Sequence, residues 1–115
     1  MPGARMPAQR KAITEPELKR KVREWLDSIG AWYYMIVPGG YSRRGVPDFI
    51  CLKSGVFFAI ETKTTGKKPT LLQEKEIEAM NREGCIAIVI DTEEQLEQFK
   101  LFINKIVHEK RCKHD

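Results

Sequence analysis

Three charged side chains lie at the open end of a largely apolar, hairpin-like segment. The segment, residues 45–63, reads GVPDFICLKSGVFFAIETK, and these charges are Asp48, Glu61 and Lys63. If the central Ser-Gly pair forms a two-residue turn, Asp48 stands directly opposite Glu61, and Lys63 lies on the same face of the sheet. Two carboxylates at such spacing repel each other unless a positive charge lies between them.

That positive charge could be a divalent cation or Lys63 alone. Carboxylate oxygens from neighbouring strands, together with the backbone carbonyl of Thr62, suit Mg²⁺ or Mn²⁺. The ammonium of Lys63 would then lie beside the ion, where it can orient or activate a water molecule. In the alternative, Lys63 neutralises the pair without a metal, or both carboxylates point into water. The paired register favours the metal.

The same residues resemble the PD-(D/E)XK nuclease core, because GVPDF is followed by IETK on the next strand. A glycine- and arginine-rich loop before GVPDF, an early helix with a glutamate, and a glutamine soon after the E-x-K are similar to one family of that superfamily, the virus-type replication-repair nucleases (VRR-NUC). The resemblance implies a restriction-endonuclease-like fold. It also implies Asp48 and Glu61 as metal ligands and Lys63 as the catalytic lysine.

Two further residues match the family's pattern and also match helix caps. Glu17 would correspond to a first-helix glutamate that ligates the metal or supports it indirectly. Gln73 would correspond to a glutamine on the helix that follows the E-x-K strand. Each residue is also the fourth member of a T-x-x-E or T-x-x-Q motif, so each could simply close a capping box. One side chain could also do both.

Basic and aromatic residues near this segment could contact DNA. Arg43 and Arg44 lie in the glycine-flanked loop that enters the site, and Lys67 and Lys68 follow the E-x-K strand. All four could clamp phosphates, or they could be ordinary solvated charges. Tyr41 could stack on a base or merely cover the loop.

The elements that must position these residues follow the order αβββαβα. Apolar periodicity, N-cap threonines and glycine stops predict helices beginning after Thr14, Thr70 and Thr92. AWYYMIV, DFICLK, VFFAIETK and CIAIVI read as strands, with the central hairpin covered on both faces. A β-α-β crossover makes the last two strands parallel, so we expect an α/β fold with a mixed sheet flanked by helices. We expect residues 1–12 to be a disordered basic arm, 13–108 the nuclease-like domain and 109–115 a frayed tail.

Composition narrows the classes of function. A chain of 115 residues, 42% of them hydrophobic, suits one globular domain, and its net charge of +4 is compatible with a polyanionic partner. No apolar run is long enough to span a bilayer, and three cysteines without CxxC spacing suggest a reduced protein. We therefore expect the cytoplasm of a bacterial or phage-infected cell and no membrane partner. The loop PGGYSRRG lacks the G-x-G-x-x-G pattern, so no nucleotide cofactor is expected.

The predicted function is a Mg²⁺- or Mn²⁺-dependent endodeoxyribonuclease that hydrolyses phosphodiester bonds. Stand-alone members of the family that the chain resembles look like junction resolvases. The resemblance therefore implies a homodimer that cuts branched DNA, such as a four-way (Holliday) junction, at two symmetric sites. The alternatives are a general or flap nuclease, a non-catalytic nucleic-acid-binding domain with the same fold, and a metal-free interaction module held by an ion-pair cluster.

Overall fold

A computed structural model describes residues 11–37 and 43–113. Along the chain, the elements are α1 (Glu15–Ser28), β1 (Trp32–Met35), β2 (Phe49–Lys53), β3 (Val56–Thr62), α2 (Leu71–Arg82), β4 (Ile86–Ile90) and α3 (Glu93–Lys113). This is the predicted αβββαβα order, and the fold is the expected restriction-endonuclease-like α/β arrangement.

The strands form one four-stranded sheet in the order β1-β2-β3-β4. The β1–β2 and β2–β3 pairs are antiparallel, whereas β3 and β4 are parallel. Phe49 pairs with Ile60, which is the register that a two-residue turn predicts. The turn residues Ser54 and Gly55 have φ angles of 50° and 80°. Two successive left-handed residues are what a type I′ hairpin turn requires.

The hydrophobic core lies on one face of this sheet, under α1 and α3. The Phe58 ring of β3 lies 5.8 Å from the Trp25 ring of α1 and 6.0 Å from the Phe99 ring of α3, measured between centroids. Complete burial of one such large apolar side chain contributes about 1.5–3 kcal/mol. Other buried members of this layer are Leu18, Leu26, Phe49, Ile60, Leu96 and Ile103.

The opposite face of the sheet is covered only in part. α2 packs against β4, whereas Leu52 and Phe57 of the hairpin remain exposed, and Trp32 and Tyr34 of β1 are each 59% exposed. The prediction of a hairpin covered on both faces is therefore wrong for this half of the sheet. The reason is that α1 and α3 both lie on the core face of the sheet. Only the shorter α2 is left to cover the opposite face.

The first two helices begin at the predicted threonines. Oγ1 of Thr14 accepts a hydrogen bond from the N–H of Glu17 at 3.4 Å, and Oγ1 of Thr70 accepts one from the N–H of Gln73 at 3.1 Å. In α2 the glutamine side chain returns the bond and completes the capping box. These caps fix where each helix starts.

The end of α3 differs from the prediction. Residues 109–113, expected to fray, continue the helix to Lys113. Nζ of Lys110 donates to the carbonyl oxygen of Gly55 at 3.1 Å and so ties the last turns to the hairpin. Basic side chains at a helix C-terminus also interact favourably with the negative end of the helix dipole. Residues 1–10 of the predicted arm and 114–115 of the predicted tail lie outside the described residues. Within the described ranges, no helix is both long and apolar enough to cross a membrane.

Candidate active site

Two carboxylates meet where the β2–β3 pair ends. Asp48 immediately precedes β2, and Glu61 lies one residue before the end of β3. The backbone N–H of Asp48 donates to Oε1 of Glu61 at 3.2 Å. The structure thus brings together the two side chains that the hairpin register places opposite each other.

Thr62 orients the carboxylate of Asp48. Oδ2 of Asp48 accepts hydrogen bonds from the N–H of Thr62 at 2.8 Å and from its hydroxyl at 2.6 Å. In an extended strand the N–H and C=O of one residue point to the same side, so the Thr62 carbonyl also faces the strand of Asp48. Sequence analysis expected only this carbonyl at the site. It missed the hydroxyl, because a threonine in a central strand looks like an ordinary β-former.

Glu61 lies deeper than Asp48 and is only 3% exposed. Its Oε2 accepts a hydrogen bond from Nε2 of Gln73 at 2.9 Å and lies 3.4 Å from Nζ of Lys63. Burial and, secondly, the charge of Asp48 raise the pKa of Glu61 to about 7, although Lys63 acts in the opposite direction. The contact with Lys63 therefore does not offset the effect of burial on the pKa of this carboxylate.

Gln73 serves its helix cap and the site with one side chain. Its Oε1 accepts from the N–H of Thr70 at 2.9 Å, while its Nε2 donates to Glu61. Both contacts that sequence analysis considered for this residue are present together. The N-terminus of α2 is thereby fixed against the end of β3.

Two threonines after the E-x-K form hydrogen bonds between the segment that follows β3 and the start of α1. Oγ1 of Thr64 accepts from the N–H of Glu15 at 2.9 Å. Oγ1 of Thr65 accepts from the N–H of Ile13 at 2.9 Å and lies 2.6 Å from the carbonyl oxygen of Asp91, to which it can donate. Sequence analysis missed both threonines, because TTGKKP reads only as a polar loop.

Comparison with known proteins assigns the chain to a family. No protein-family model matches the sequence. "Putative nuclease p44" of Acyrthosiphon pisum secondary endosymbiont phage 1 is 32% identical over 83 residues, which cover 71% of this chain and 87% of that protein. A solved structure described as "VRR_NUC domain" matches with a TM-score of 0.64 and 24% identity, over 75% of this chain and 94% of that one. The chain belongs to the VRR-NUC family. Nucleases of this fold generally use divalent metals.

Of the residues matched to the VRR-NUC pattern, Glu17 is not brought into contact with the carboxylate pair. It lines a cleft of about 260 Å³ that Arg20 and Glu93 also line. Among the described residues it has no hydrogen bond or ion pair to Asp48 or Glu61. Its N–H is capped by Thr14, but the reciprocal side-chain bond of a capping box is absent from the described contacts of α1. Its role in the site stays a prediction.

A different pair on α1, Glu15 and Lys19, is connected to Asp48 through the ammonium of Lys19. Nζ of Lys19 lies 3.3 Å from Oε2 of Glu15 and 3.7 Å from Oδ1 of Asp48. Glu15 is thereby linked to Asp48 indirectly, with Lys19 between them. Sequence analysis missed both residues, because a Glu and a Lys four residues apart also form ordinary surface pairs on helices.

The basic residues predicted to contact DNA differ in their surroundings. Nη2 of Arg43 lies 2.5 Å from Oε1 of Glu76 on α2, so this guanidinium already has a carboxylate partner. Tyr41 lies outside the described residues. The other three predicted phosphate contacts are exposed on the surface: Arg44, Lys67 and Lys68.

The donor set at this site fits a hard divalent ion. Among residues 11–37 and 43–113, no group of three or more histidine, cysteine or carboxylate side chains is placed to hold a metal. The site offers two carboxylates instead, and burial together with the charge of Asp48 raises the pKa of Glu61. Mg²⁺ usually keeps several waters and binds through one or two carboxylates together with substrate phosphates. A closed zinc site, by contrast, would need four nitrogen or sulfur ligands.

Proposed function

We propose that this protein is a metal-dependent endodeoxyribonuclease that hydrolyses phosphodiester bonds. The observation that carries the proposal is the meeting of Asp48 and Glu61 at one end of the sheet, with Lys63 beside them at 3.4 Å from Glu61. Family membership and a relative described as a nuclease support the same reading. Burial of the Glu61 carboxylate raises its pKa and costs stability, and a functional role at this position would explain that cost.

Asp48 and Glu61 would hold Mg²⁺ or Mn²⁺, with the backbone carbonyl of Thr62 as a third protein ligand. When bound, the ion supplies Lewis-acid stabilisation of the charge on the phosphate. Oδ1 of Asp48 accepts no hydrogen bond from the described residues, which leaves one carboxylate oxygen available. The pKa of Glu61 is raised by burial and secondly by the charge of Asp48, and a cation between the two carboxylates would relieve the second of these effects.

The protein's own groups have separate tasks in this proposal. Lys63 is 16% exposed at the mouth of the site, and its ammonium carries three donors. It can therefore hold Glu61 and still orient an attacking water or stabilise charge on the phosphate. Thr62 and Gln73 fix one oxygen each of Asp48 and Glu61, so the carboxylates need little reorganisation when substrate arrives. Glu17 is kept only as an indirect contributor.

Branched DNA, cut by a homodimer, is the proposed substrate. A four-way junction has two-fold symmetry and needs two cuts, and two copies of one site related by a two-fold axis match that requirement. Recognition would rest on the shape of the branch and on phosphates, contacted by Arg44, Lys67 and Lys68. The net charge of +4 supports a polyanionic substrate.

Substitution of Lys63 and Asp48 tests the chemistry. Lys63→Ala should lower the cleavage rate of labelled DNA in Mg²⁺ by at least about 100-fold, the size expected for a group that positions or polarises a reactant. It should leave Mn²⁺ binding nearly intact, because the lysine is not a ligand. Asp48→Asn should abolish cleavage and weaken Mn²⁺ binding in calorimetry, because an amide offers one neutral oxygen.

The matched control is Lys105→Ala, which removes an exposed lysine of α3. It should cleave like the unmodified protein. Near-normal turnover by Lys63→Ala or Asp48→Asn would rule out the assignment of the active site. Absence of any cleavage or Mn²⁺ binding by the unmodified protein would favour a non-catalytic domain.

A further inference from the structure

We propose that Lys19 is the counter-ion of Asp48 in the cation-free site and that it gives up this place when a divalent cation binds. The inference rests on the proposed function, because it concerns the same carboxylates. It adds a residue of α1 that competes with the metal for one oxygen atom of Asp48.

The two oxygens of Asp48 have different surroundings. Oδ2 is fixed by both donors of Thr62, at 2.8 and 2.6 Å. Oδ1 faces Nζ of Lys19 at 3.7 Å, which is close enough for an ion pair but too long for a hydrogen bond. Oδ1 is therefore the oxygen left for a cation, and Lys19 is the group that now stands before it.

The charges around Asp48 favour such an exchange. Three carboxylates and two ammonium groups are joined in ion pairs around Asp48. Together they carry one net negative charge when all are ionised. The carboxylates belong to Glu15, Asp48 and Glu61, and the ammonium groups to Lys19 and Lys63. A divalent ion would reverse the sign of that net charge, so repulsion from the ion would weaken the hold of Asp48 on Lys19. Lys63 would stay, because its contact is with Oε2 of Glu61 and not with Oδ1 of Asp48.

An ordinary surface pair does not explain the position of Lys19. A Glu-Lys pair four residues apart on an exposed helix needs no third partner. Lys19 also reaches across to a different element, and its side chain is only 23% exposed. Because Glu15 holds the same ammonium at 3.3 Å, Lys19 has a second partner to retain when it leaves Asp48. The exchange then needs a small movement of one flexible side chain.

The test measures Mn²⁺ affinity without DNA, by calorimetry on the full chain. Lys19→Gln should lower the dissociation constant about fivefold, the size of effect that a partly exposed ion pair has. Lys19→Arg keeps the charge and should bind Mn²⁺ like the unmodified protein. The matched control is Lys21→Gln on the same helix, whose ammonium lies 3.0 Å from Glu93 and whose side chain is 29% exposed. It should leave the Mn²⁺ dissociation constant unchanged.

A dissociation constant that is unchanged or higher in Lys19→Gln would overturn the inference, as would an equal change in Lys21→Gln. A purely structural role for Lys19 predicts a lower melting temperature without tighter Mn²⁺ binding, so melting curves of all three variants separate the two roles. Failure of the proposed function has a different signature, since the unmodified protein would then bind no Mn²⁺ at this site and cleave no DNA.

Discussion

Glu61 has three donors around it and still holds a proton more tightly than an ordinary glutamate. The N–H of Asp48, the amide of Gln73 and the ammonium of Lys63 all reach its oxygens. The stabilisation of the charged form by these donors does not offset two effects that raise the pKa of Glu61. The first is burial of the carboxylate away from water, and the second is the negative charge of Asp48. At the scale of single residues, the site is therefore built to accept positive charge.

Mn²⁺ binding should depend on pH near neutrality. The pKa of Glu61 is raised to about 7 in the cation-free protein, so below this pH a cation must displace a proton from the carboxyl group. Affinity should therefore rise with pH, and be roughly tenfold weaker at about pH 6 than at about pH 8. Calorimetry at both values measures this change. Equal affinities would contradict the combination of a raised pKa for Glu61 and its place among the ligands.

Individual site residues could be predicted from sequence when their partners lie in the same local motif. Asp48 and Glu61 follow from the register of one hairpin, and the contact of Gln73 with its cap follows from T-x-x-Q. The same reasoning names the carbonyl of Thr62 but could not find its hydroxyl contact or the contact of Lys19. The hydroxyl contact depends on a side-chain rotamer and the Lys19 contact on how α1 is placed against Asp48, and local spacing determines neither.

At the scale of elements, the loop that leads into β2 is held against the start of α2. Gly45 has a φ of 85°, and a Cβ on it would lie 2.9 Å from the backbone oxygen of Leu72. Leu72 is next to Gln73, so this close approach joins the loop that delivers Asp48 to the helix that delivers Gln73. Only glycine combines that backbone angle with that distance.

Gly45→Ala should destabilise the protein and reduce cleavage. The left-handed backbone alone costs about 1–2 kcal/mol for a residue with a Cβ, and the contact with Leu72 adds to it. The control is Gly66→Ala, where φ is 90° but no atom lies within 4 Å of the added Cβ. Thermal melting should show the larger loss in Gly45→Ala, and DNA cleavage should fall with it. Equal losses in both variants would show that the contact with Leu72 has no effect.

The order and type of the elements could be predicted, whereas the coverage of the sheet could not. Caps and periodicity locate α1 and α2, and the Ser54–Gly55 turn fixes the hairpin. The apolar runs of β1 and β2 also predict strands. They do not reveal that Trp32 and Tyr34 stay exposed, because apolar strands look alike whether a helix covers them or not.

At the scale of the whole molecule, a single chain presents one pair of carboxylates at one end of its sheet. A symmetric DNA branch cut at two positions needs that site twice. The exposed basic residues near the end of β3, Lys67 and Lys68, would lie beside each copy of the site.

Light scattering at micromolar concentration should therefore give about twice the 13.3 kDa mass of the chain. Cleavage in Mg²⁺ should favour a four-way junction over a linear duplex of the same sequence, with nicks in opposed strands. A monomer would remove the symmetry argument. Equal cutting of both substrates would make the protein a general nuclease.

The threonine ties at the start of α1 bear on how the chain is synthesised. The N–H groups of Ile13 and Glu15 donate to the hydroxyl oxygens of Thr65 and Thr64, which follow 52 and 49 residues later in the chain. The hydroxyl of Thr65 in turn lies within hydrogen-bond distance of the carbonyl oxygen of Asp91, a further 26 residues along. A ribosome-bound chain that stops short of β4 contains Asp48, Glu61 and Lys63, but it lacks both the parallel partner of β3 and the Asp91 carbonyl. We therefore expect the contacts between the end of β3 and the start of α1 to be complete only after β4 has been added.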